Sequence, residues 1–228
     1  MARAIPVLAI DGPSGSGKGS LAQMIAQHLG WHLLDSGALY RIVGLVAVEK
    51  GVDLDDEHGL ALIAQHLDIE FRAGAAGEPA AVLLGGRDIS SDVRSEHAGY
   101  LASRVAVFPA VRAALLQRQR DFARKPGLVA DGRDMGTHVF VDAPLKLFLT
   151  ASAEERAQRR YKQLINKGES VTLAALLEDI RQRDKRDSER AVAPLKPALD
   201  AVVIDSTTLD IKQVFQRALQ LLSERELI

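Results

Sequence analysis

The segment GPSGSGKGS, residues 12–20, constrains the fold of this chain more than any other part of its sequence. It follows the apolar run AIPVLAID, typical of a buried strand, and precedes GSLAQMIAQHLG, in which Leu21 and Ile25 recur at helical spacing. Glycines allow such a loop to turn several backbone N–H groups toward one anion, and the following helix adds its positive end. The spacing G-x4-G-K predicts a nucleotide-phosphate site made of Gly12, Pro13, Ser14, Gly15, Ser16, Gly17, Lys18, Gly19 and Ser20.

The position of the first hydroxyl after Lys18 is unusual for such a loop. The common form carries Ser or Thr directly after the lysine, where the hydroxyl binds magnesium. This chain has Gly19 there and places the hydroxyl one residue later, at Ser20. That order resembles the loop of nucleoside monophosphate kinases, and it implies that Ser20 holds Mg²⁺ through its hydroxyl.

Composition and charge exclude several other kinds of protein. The chain has 228 residues and a formal net charge of -1, so it lacks the basic excess of a nucleic-acid-binding protein. The absence of cysteine excludes disulfide bonds, thiolate metal sites and a cysteine nucleophile. The apolar run at residues 5–10 is too short for a membrane span or a signal peptide. We expect a cytoplasmic protein that binds neither nucleic acid nor a membrane.

Strand and helix patterns alternate along most of the chain. Buried-strand patterns at AIPVLAID, WHLLDS, GLVAD, LKLFLT and AVVID are separated by helical patterns. They predict an α/β fold with a five-stranded parallel sheet flanked by helices. Residues 68–91 alternate instead, with turn signals at 73–79, which predicts a small antiparallel β insert.

We predict a single P-loop kinase domain. Its core would comprise about 1–67, 103–151 and 191–228. The resemblance to kinases of this group implies that the β insert at about 68–102 binds the acceptor and that the helical region at about 152–190 is a lid. Three motifs fall at the carboxyl ends of predicted strands, where parallel sheets bind ligands: residues 12–20, residues 35–36 and residues 131–134. We also predict that Ser36 caps the helix after it and that Pro109 lies in the first turn of another.

Two groups of charged residues share a helix face in the late part of the chain: Arg156, Arg159 and Arg160, and Arg183, Asp187 and Arg190. Arginine suits phosphoryl transfer, because its planar fork grips phosphate oxygens in pairs. Spacing alone leaves a second interpretation open, a solvated helix face with i,i+4 ion pairs.

Four blocks in order, IDGPSGSGKGS, LLDSGALYR, ADGRDMGT and RDKRDSERAVAPL, resemble the signature blocks of the bacterial-type cytidylate kinase family, and DSTTL fits near the end. The resemblance runs from about Ile10 to Leu209. It implies Mg²⁺-dependent phosphoryl transfer from ATP to CMP or dCMP by a monomeric enzyme with an enlarged acceptor-binding region.

The resemblance also implies a role for each matching residue. The catalytic residues would be Lys18, Arg133 and Arg183. The ATP-binding residues would be residues 12–20 together with Arg156, Arg159 and Arg160 of the lid. The acceptor-binding residues would be Ser36, Arg41, Ser103, Arg112, Arg133, Asp134, Arg183, Asp187 and Arg190. Within that last set, the cytosine would be read by Ser103, Arg112 and Arg190, and the ribose would be held by Arg183 and Asp187.

Two alternatives remain open from the sequence. The same donor loop would serve a P-loop kinase with another acceptor, such as UMP or a non-nucleotide metabolite, because the acceptor-side residues decide that choice. A nucleotide-dependent switch would need a base-reading motif and a hydroxyl beside Lys18. The segment NKGE at 166–169 resembles such a motif, but it ends in Glu and follows no buried strand.

Overall fold

A computed structural model describes residues 5–72, 81–166 and 168–228 of the chain. Its strands are β1 (Val7–Asp11), β2 (His32–Asp35), β3 (Ile69–Arg72), β4 (Ala81–Leu84), β5 (Arg87–Asp88), β6 (Leu128–Gly132), β7 (Leu145–Thr150) and β8 (Val202–Asp205). Its helices are α1 (Lys18–Leu29), α2 (Ser36–Lys50), α3 (Glu57–Gln65), α4 (Ser90–Val93), α5 (Glu96–Val105), α6 (Pro109–Arg120), α7 (Ala153–Asn166), α8 (Leu173–Ser188) and α9 (Ile211–Glu224). A short π-helical turn, Met135–Val139, follows β6.

The predicted five-stranded parallel sheet is confirmed. Its strand order is β2-β6-β1-β7-β8, and the pairs β1–β7 and β7–β8 run parallel. Strand β1 is buried along its whole length, as a continuous apolar run without alternation predicts. The loop of residues 12–20 leaves the carboxyl end of this strand directly, so the fold places it where parallel sheets bind ligands.

The predicted antiparallel insert is also confirmed, as the three-stranded sheet β3-β4-β5. Its first strand alternates between half-buried and exposed residues, which matches the alternating sequence. The predicted turn at 73–79 lies outside the described residues.

Of the two helix starts predicted from the sequence, that of α6 is confirmed and the cap of α2 is wrong. The predicted cap of α2 by Ser36 is wrong, because the side chain of Asp35 accepts the N–H of Ala38 and caps the helix. The hydroxyl of Ser36 instead donates to Gln119 Oε1 at 2.7 Å. Both residue types are good caps, but only the residue before the first helical one has the extended backbone that capping requires. Pro109 begins α6 as predicted.

The chain divides into two compact units. One contains Ala26–Ala130, and the other contains Pro6–Ile25 with Asp131–Ile228. The predicted division into core, insert and lid is not decided by this partition and stays a prediction.

Within the described part of the chain, no single helix has both the length and the apolarity of a membrane span. Helices α5 and α6 meet those values only when they are taken together, and they are bent by 108° where they meet.

The close approach of α2 and α5 yields a stability prediction. A Cβ atom at Gly44 would lie 2.6 Å from Leu101 Cβ, so Gly44→Val overfills this contact. We expect the free energy of unfolding to fall by about 1–3 kcal/mol, measured by urea denaturation. The control is Val48→Ala on the exposed face of the same helix, which should change it by less than about 0.5 kcal/mol. Equal effects of the two substitutions would contradict the packing argument.

Candidate active site

The backbone of the loop at residues 12–20 requires glycine at its start. Gly12 has a φ of 155°, and a Cβ atom there would lie 2.0 Å from the carbonyl oxygen of Leu149. Gly15 and Gly17 have φ values of 77° and 91°, in the left-handed region that side chains rarely adopt. The backbone conformation of this loop therefore accounts for the glycines at these three positions of the sequence.

Two arginines of α7 hold the carbonyl groups of this loop. Arg156 donates to Ser14 O at 3.0 Å, and Arg159 donates to Ser16 O at 3.4 Å. In a trans peptide the N–H points opposite to the preceding C=O. The N–H groups of Gly15 and Gly17 therefore point away from the arginines, so the arginines fix the orientation of the loop amides.

Arg156 is itself anchored on both sides. Its side chain is 4% exposed, and its guanidinium makes a two-pronged ion pair with Asp184 of α8, at 3.0 and 2.5 Å. Its Nε also donates to Ala151 O at 3.0 Å. Arg159 pairs with Glu155 and donates to Ser206 O at 2.6 Å. Arg160, the third predicted arginine of this face, donates to Gln163 Oε1.

Lys18 lies over the loop beside a carboxylate. Its Nζ donates to Pro13 O at 3.2 Å and lies 4.0 Å from Asp131 Oδ1. A Cβ atom at Gly19 would lie 3.1 Å from Asp131 Oδ2, which is tighter than ordinary contacts. A side chain at position 19, directly after the lysine, would crowd the Asp131 carboxylate. This is a structural reason for glycine there and for the hydroxyl one residue later, at Ser20.

Three of the predicted arginines surround one buried carboxylate, that of Asp187. Asp187 is 1% exposed, accepts a hydrogen bond from Arg133 Nε at 3.0 Å and forms an ion pair with Arg190. Burial by itself would raise the pKa of Asp187, but the charges of Arg133, Arg190 and Arg183 and the hydrogen bond from Arg133 hold that pKa below its ordinary value. One negative charge among three positive ones leaves an excess of two, which attracts an anion.

A second buried carboxylate supports the turn after β6. Asp11, at the end of β1, accepts the N–H groups of Met135 and Gly136, each at 2.8 Å. Asp134 precedes this turn and makes no side-chain cap to it. Burial raises the pKa of Asp11 to about 6, the two backbone donors lower it, Asp134 raises it further, and Lys18 opposes that rise.

The other predicted residues lie in the unit of Ala26–Ala130. Arg41 donates to the carbonyl oxygens of Val93 and Ser95, at 2.7 and 3.2 Å. Arg112 is 4% exposed and lies over the ring of Tyr40, with 5.8 Å from its central carbon to the ring centroid. The hydroxyl of Ser103 donates to Gly99 O, one turn back along α5, at 3.2 Å.

Sequence reasoning missed three residues that hold this site together: Asp11, Asp184 and Ser206. Asp11 carried a readable signal, because it ends a predicted buried strand at the edge where ligands bind. Asp184 and Ser206 carried none, because they meet Arg156 and Arg159 only in the folded chain.

Comparison with known proteins places these features in a family. The profile of the family described as "Cytidylate kinase" matches residues 8–224. The chain is 59% identical over 228 residues to a protein named "Cytidylate kinase" from Pseudomonas entomophila strain L48, and covers 100% of both chains. It is 57% identical over 227 residues to one of the same name from Stutzerimonas stutzeri strain A1501, and covers 100% of this chain and 99% of that one.

The raised pKa of Asp11 predicts how stability changes with pH. Because its folded pKa of about 6 lies above the ordinary value of 3.8, folded Asp11 binds more protons than unfolded Asp11 between these values. Its contribution to the free energy of unfolding therefore falls as pH rises through this window, by about 3 kcal/mol in total.

Asp11→Asn removes this titration. Urea denaturation of both proteins between about pH 4 and pH 7 should show the variant gaining stability relative to the parent as the pH rises. A difference that is the same at every pH would contradict the assigned pKa.

Proposed function

The chain belongs to the cytidylate kinase family, and from this premise we propose that it transfers the γ-phosphoryl group of ATP to CMP and dCMP, giving CDP and dCDP. The family makes it a phosphotransferase. The observation that carries the proposal is the cluster of Arg133, Arg183 and Arg190 around Asp187, because it supplies a preformed anion site in the same compact unit as the loop of residues 12–20.

We propose that the loop of residues 12–20 binds the phosphates of ATP. Its Gly15 and Gly17 amides are oriented by Arg156 and Arg159, and the N-terminus of α1 adds a positive end. Among the described residues, the buried hydroxyl of Ser16 has no hydrogen-bond partner, which suits a donor to a phosphate oxygen. Lys18 would move its ammonium from Pro13 O to the transferred group. The predicted role of Arg160 in covering the donor stays a prediction.

Magnesium fits the same end of the loop. The exposed Ser20 hydroxyl and the Asp131 carboxylate that faces Gly19 are hard oxygen donors, the class that Mg²⁺ prefers. Mg²⁺ is usually held by few protein groups together with the nucleotide phosphates, and it supplies charge neutralisation during transfer. We propose Ser20 as a ligand, with Asp131 as a second oxygen donor.

We propose that the arginine cluster receives the acceptor nucleotide. The two excess positive charges of the cluster would attract its phosphate. Arg183 and the Asp187 carboxylate would hold the ribose, and Arg190 would read the cytosine. Asp134 would accept the cytosine amino group, which uracil lacks, so the wrong base would leave a buried carboxylate unpaired. The roles of Ser36, Arg41, Ser103 and Arg112 on the acceptor are carried from the family resemblance and stay proposals.

The acceptor phosphate needs little chemical activation. Its oxygen is already an anion at neutral pH, so a strong general base is not required. The work of this chain is to align donor and acceptor, to neutralise charge with Lys18 and the arginines, and to exclude water. Transfer to a different acceptor is not favoured, because the relatives of high identity are cytidylate kinases. The monomeric state and cytoplasmic location remain predictions.

The experiment that tests the function is ADP production with ATP, Mg²⁺ and each of CMP, dCMP, UMP, AMP and GMP. We expect strong turnover with CMP and dCMP and at least about 10-fold lower kcat/KM with the others. Equal turnover with UMP would contradict the role of Asp134, and no turnover with any nucleotide would mean that the acceptor is another metabolite.

Arg190 yields a sharper prediction on the acceptor side. Arg190→Ala removes one positive charge from the Asp187 cluster and should lower kcat/KM for CMP by about 10- to 100-fold, with the KM for ATP within about twofold. Arg186→Ala is the matched control, because Arg186 is exposed in the same region of the chain and donates to Gln182 O within its own helix. Equal losses for ATP and CMP would contradict the assignment.

A further inference from the structure

We propose that Asp11 is a positioning residue for the acceptor. Its carboxylate holds the turn Met135–Val139 in place. It thereby also positions Arg133 and Asp134, the two residues just before that turn. The proposal rests on the proposed function, since it assigns the acceptor rather than the donor to Arg133 and Asp134.

The turn needs an outside acceptor for its first amides. Inside it, Val139 N–H bonds to Asp134 O at 3.2 Å and Phe140 N–H bonds to Met135 O. These bonds use the carbonyl groups at the start of the turn but leave the N–H groups of Met135 and Gly136 to be satisfied from elsewhere. Asp11 accepts both, although it lies 124 and 125 residues earlier in the chain.

Asp11 caps the turn, a role that the side chain of Asp134 would ordinarily fill. A residue just before a helical turn commonly caps it with its own side chain. Asp134 stands at that position and makes no such bond, so its carboxylate is not used for capping. Because Asp11 at the end of β1 supplies the cap, the capping of this turn does not depend on the Asp134 side chain.

Only a carboxylate serves both amides at once. Two donors 2.8 Å from two different oxygens require two acceptors on one side chain. An amide of the same shape offers one acceptor and one N–H₂ group, and that group would face a backbone N–H. Gly136 allows the close approach, because a Cβ atom there would lie 3.4 Å from Asp11 Oδ2 and 3.0 Å from Lys146 Cδ.

Burial makes the surroundings of Asp11 unfavourable for a negative charge. The residue is 4% exposed and its pKa is raised to about 6, so the folded chain holds it ionised at neutral pH against its surroundings. The charged groups around it are Lys18 on α1 and Asp134 before the turn, with Asp131 near Lys18 and the stem of Lys146 against Gly136.

The first test is Asp11→Asn in the full chain. We expect kcat/KM for CMP to fall by about 10- to 100-fold while the KM for ATP stays within about twofold, because the turn moves and the donor loop does not. Hydrogen exchange of the peptide that covers residues 133–137 should be faster in the variant. Val214→Ala, which shortens a buried side chain in α9, controls for a general loss of stability.

The outcomes separate this proposal from the proposed function. If the parent phosphorylates CMP and Asp11→Asn changes the KM values for ATP and CMP alike, or changes neither kcat/KM nor exchange, the positioning role is wrong. If the parent does not phosphorylate CMP, the proposed function fails, and unchanged exchange at 133–137 would still overturn the role of Asp11 in holding the turn.

The second test uses pH. Protonation of Asp11 removes one of its two acceptors, as the amide does, so the ratio of kcat/KM for CMP between parent and Asp11→Asn should fall toward one as the pH falls from about 7 to about 5. The titration of the CMP phosphate is common to both proteins and cancels in the ratio. A ratio that is constant over this range would contradict the proposal.

Discussion

The orientation of the peptide groups in the loop of residues 12–20 is the constraint on which the rest of the site depends. Backbone N–H groups bind an anion only when their carbonyl partners are held elsewhere, because the two point in opposite directions across each peptide. Glycine permits the required backbone at Gly12, Gly15 and Gly17, and Arg156 and Arg159 hold the carbonyl side. Two arginines of the charged helix α7 therefore contact the loop, so this face of the helix is not simply a solvated surface with ion pairs.

Buried carboxylates organise the positive charges of the same unit. Asp184 anchors Arg156, Asp187 gathers Arg133, Arg183 and Arg190, and Asp131 lies beside Lys18. Each pairing holds a long cationic side chain in one place, which lowers the entropy that a ligand would otherwise have to remove. A buried ion pair often adds little to stability, because removing two charges from water costs about as much as their attraction returns. We therefore infer that these pairs hold the cations in position for a charged substrate.

Sequence reasoning succeeded where the signal is local. The strand–loop–helix order at residues 7–29, the antiparallel insert and the start of α6 at Pro109 are all as predicted, because strand, turn and cap preferences depend on a few neighbouring residues. The cap of α2 was missed by one residue because Asp35 and Ser36 are both good caps and only the backbone decides between them. The roles of the acceptor residues stay predictions.

The sequence by itself determined the glycine-rich turn of residues 12–20, the class of fold and, through its ordered motif blocks, the cytidylate kinase family. Only the tertiary structure decided which carboxylate meets which cation and which strand end caps which turn. Asp11 reaches Met135 across 124 residues, Arg133 reaches Asp187 across 54, and Arg156 reaches Asp184 across 28. Periodicity reports only the face on which a residue lies. Its partner depends on which elements pack together, and that choice is made by the burial of the whole chain.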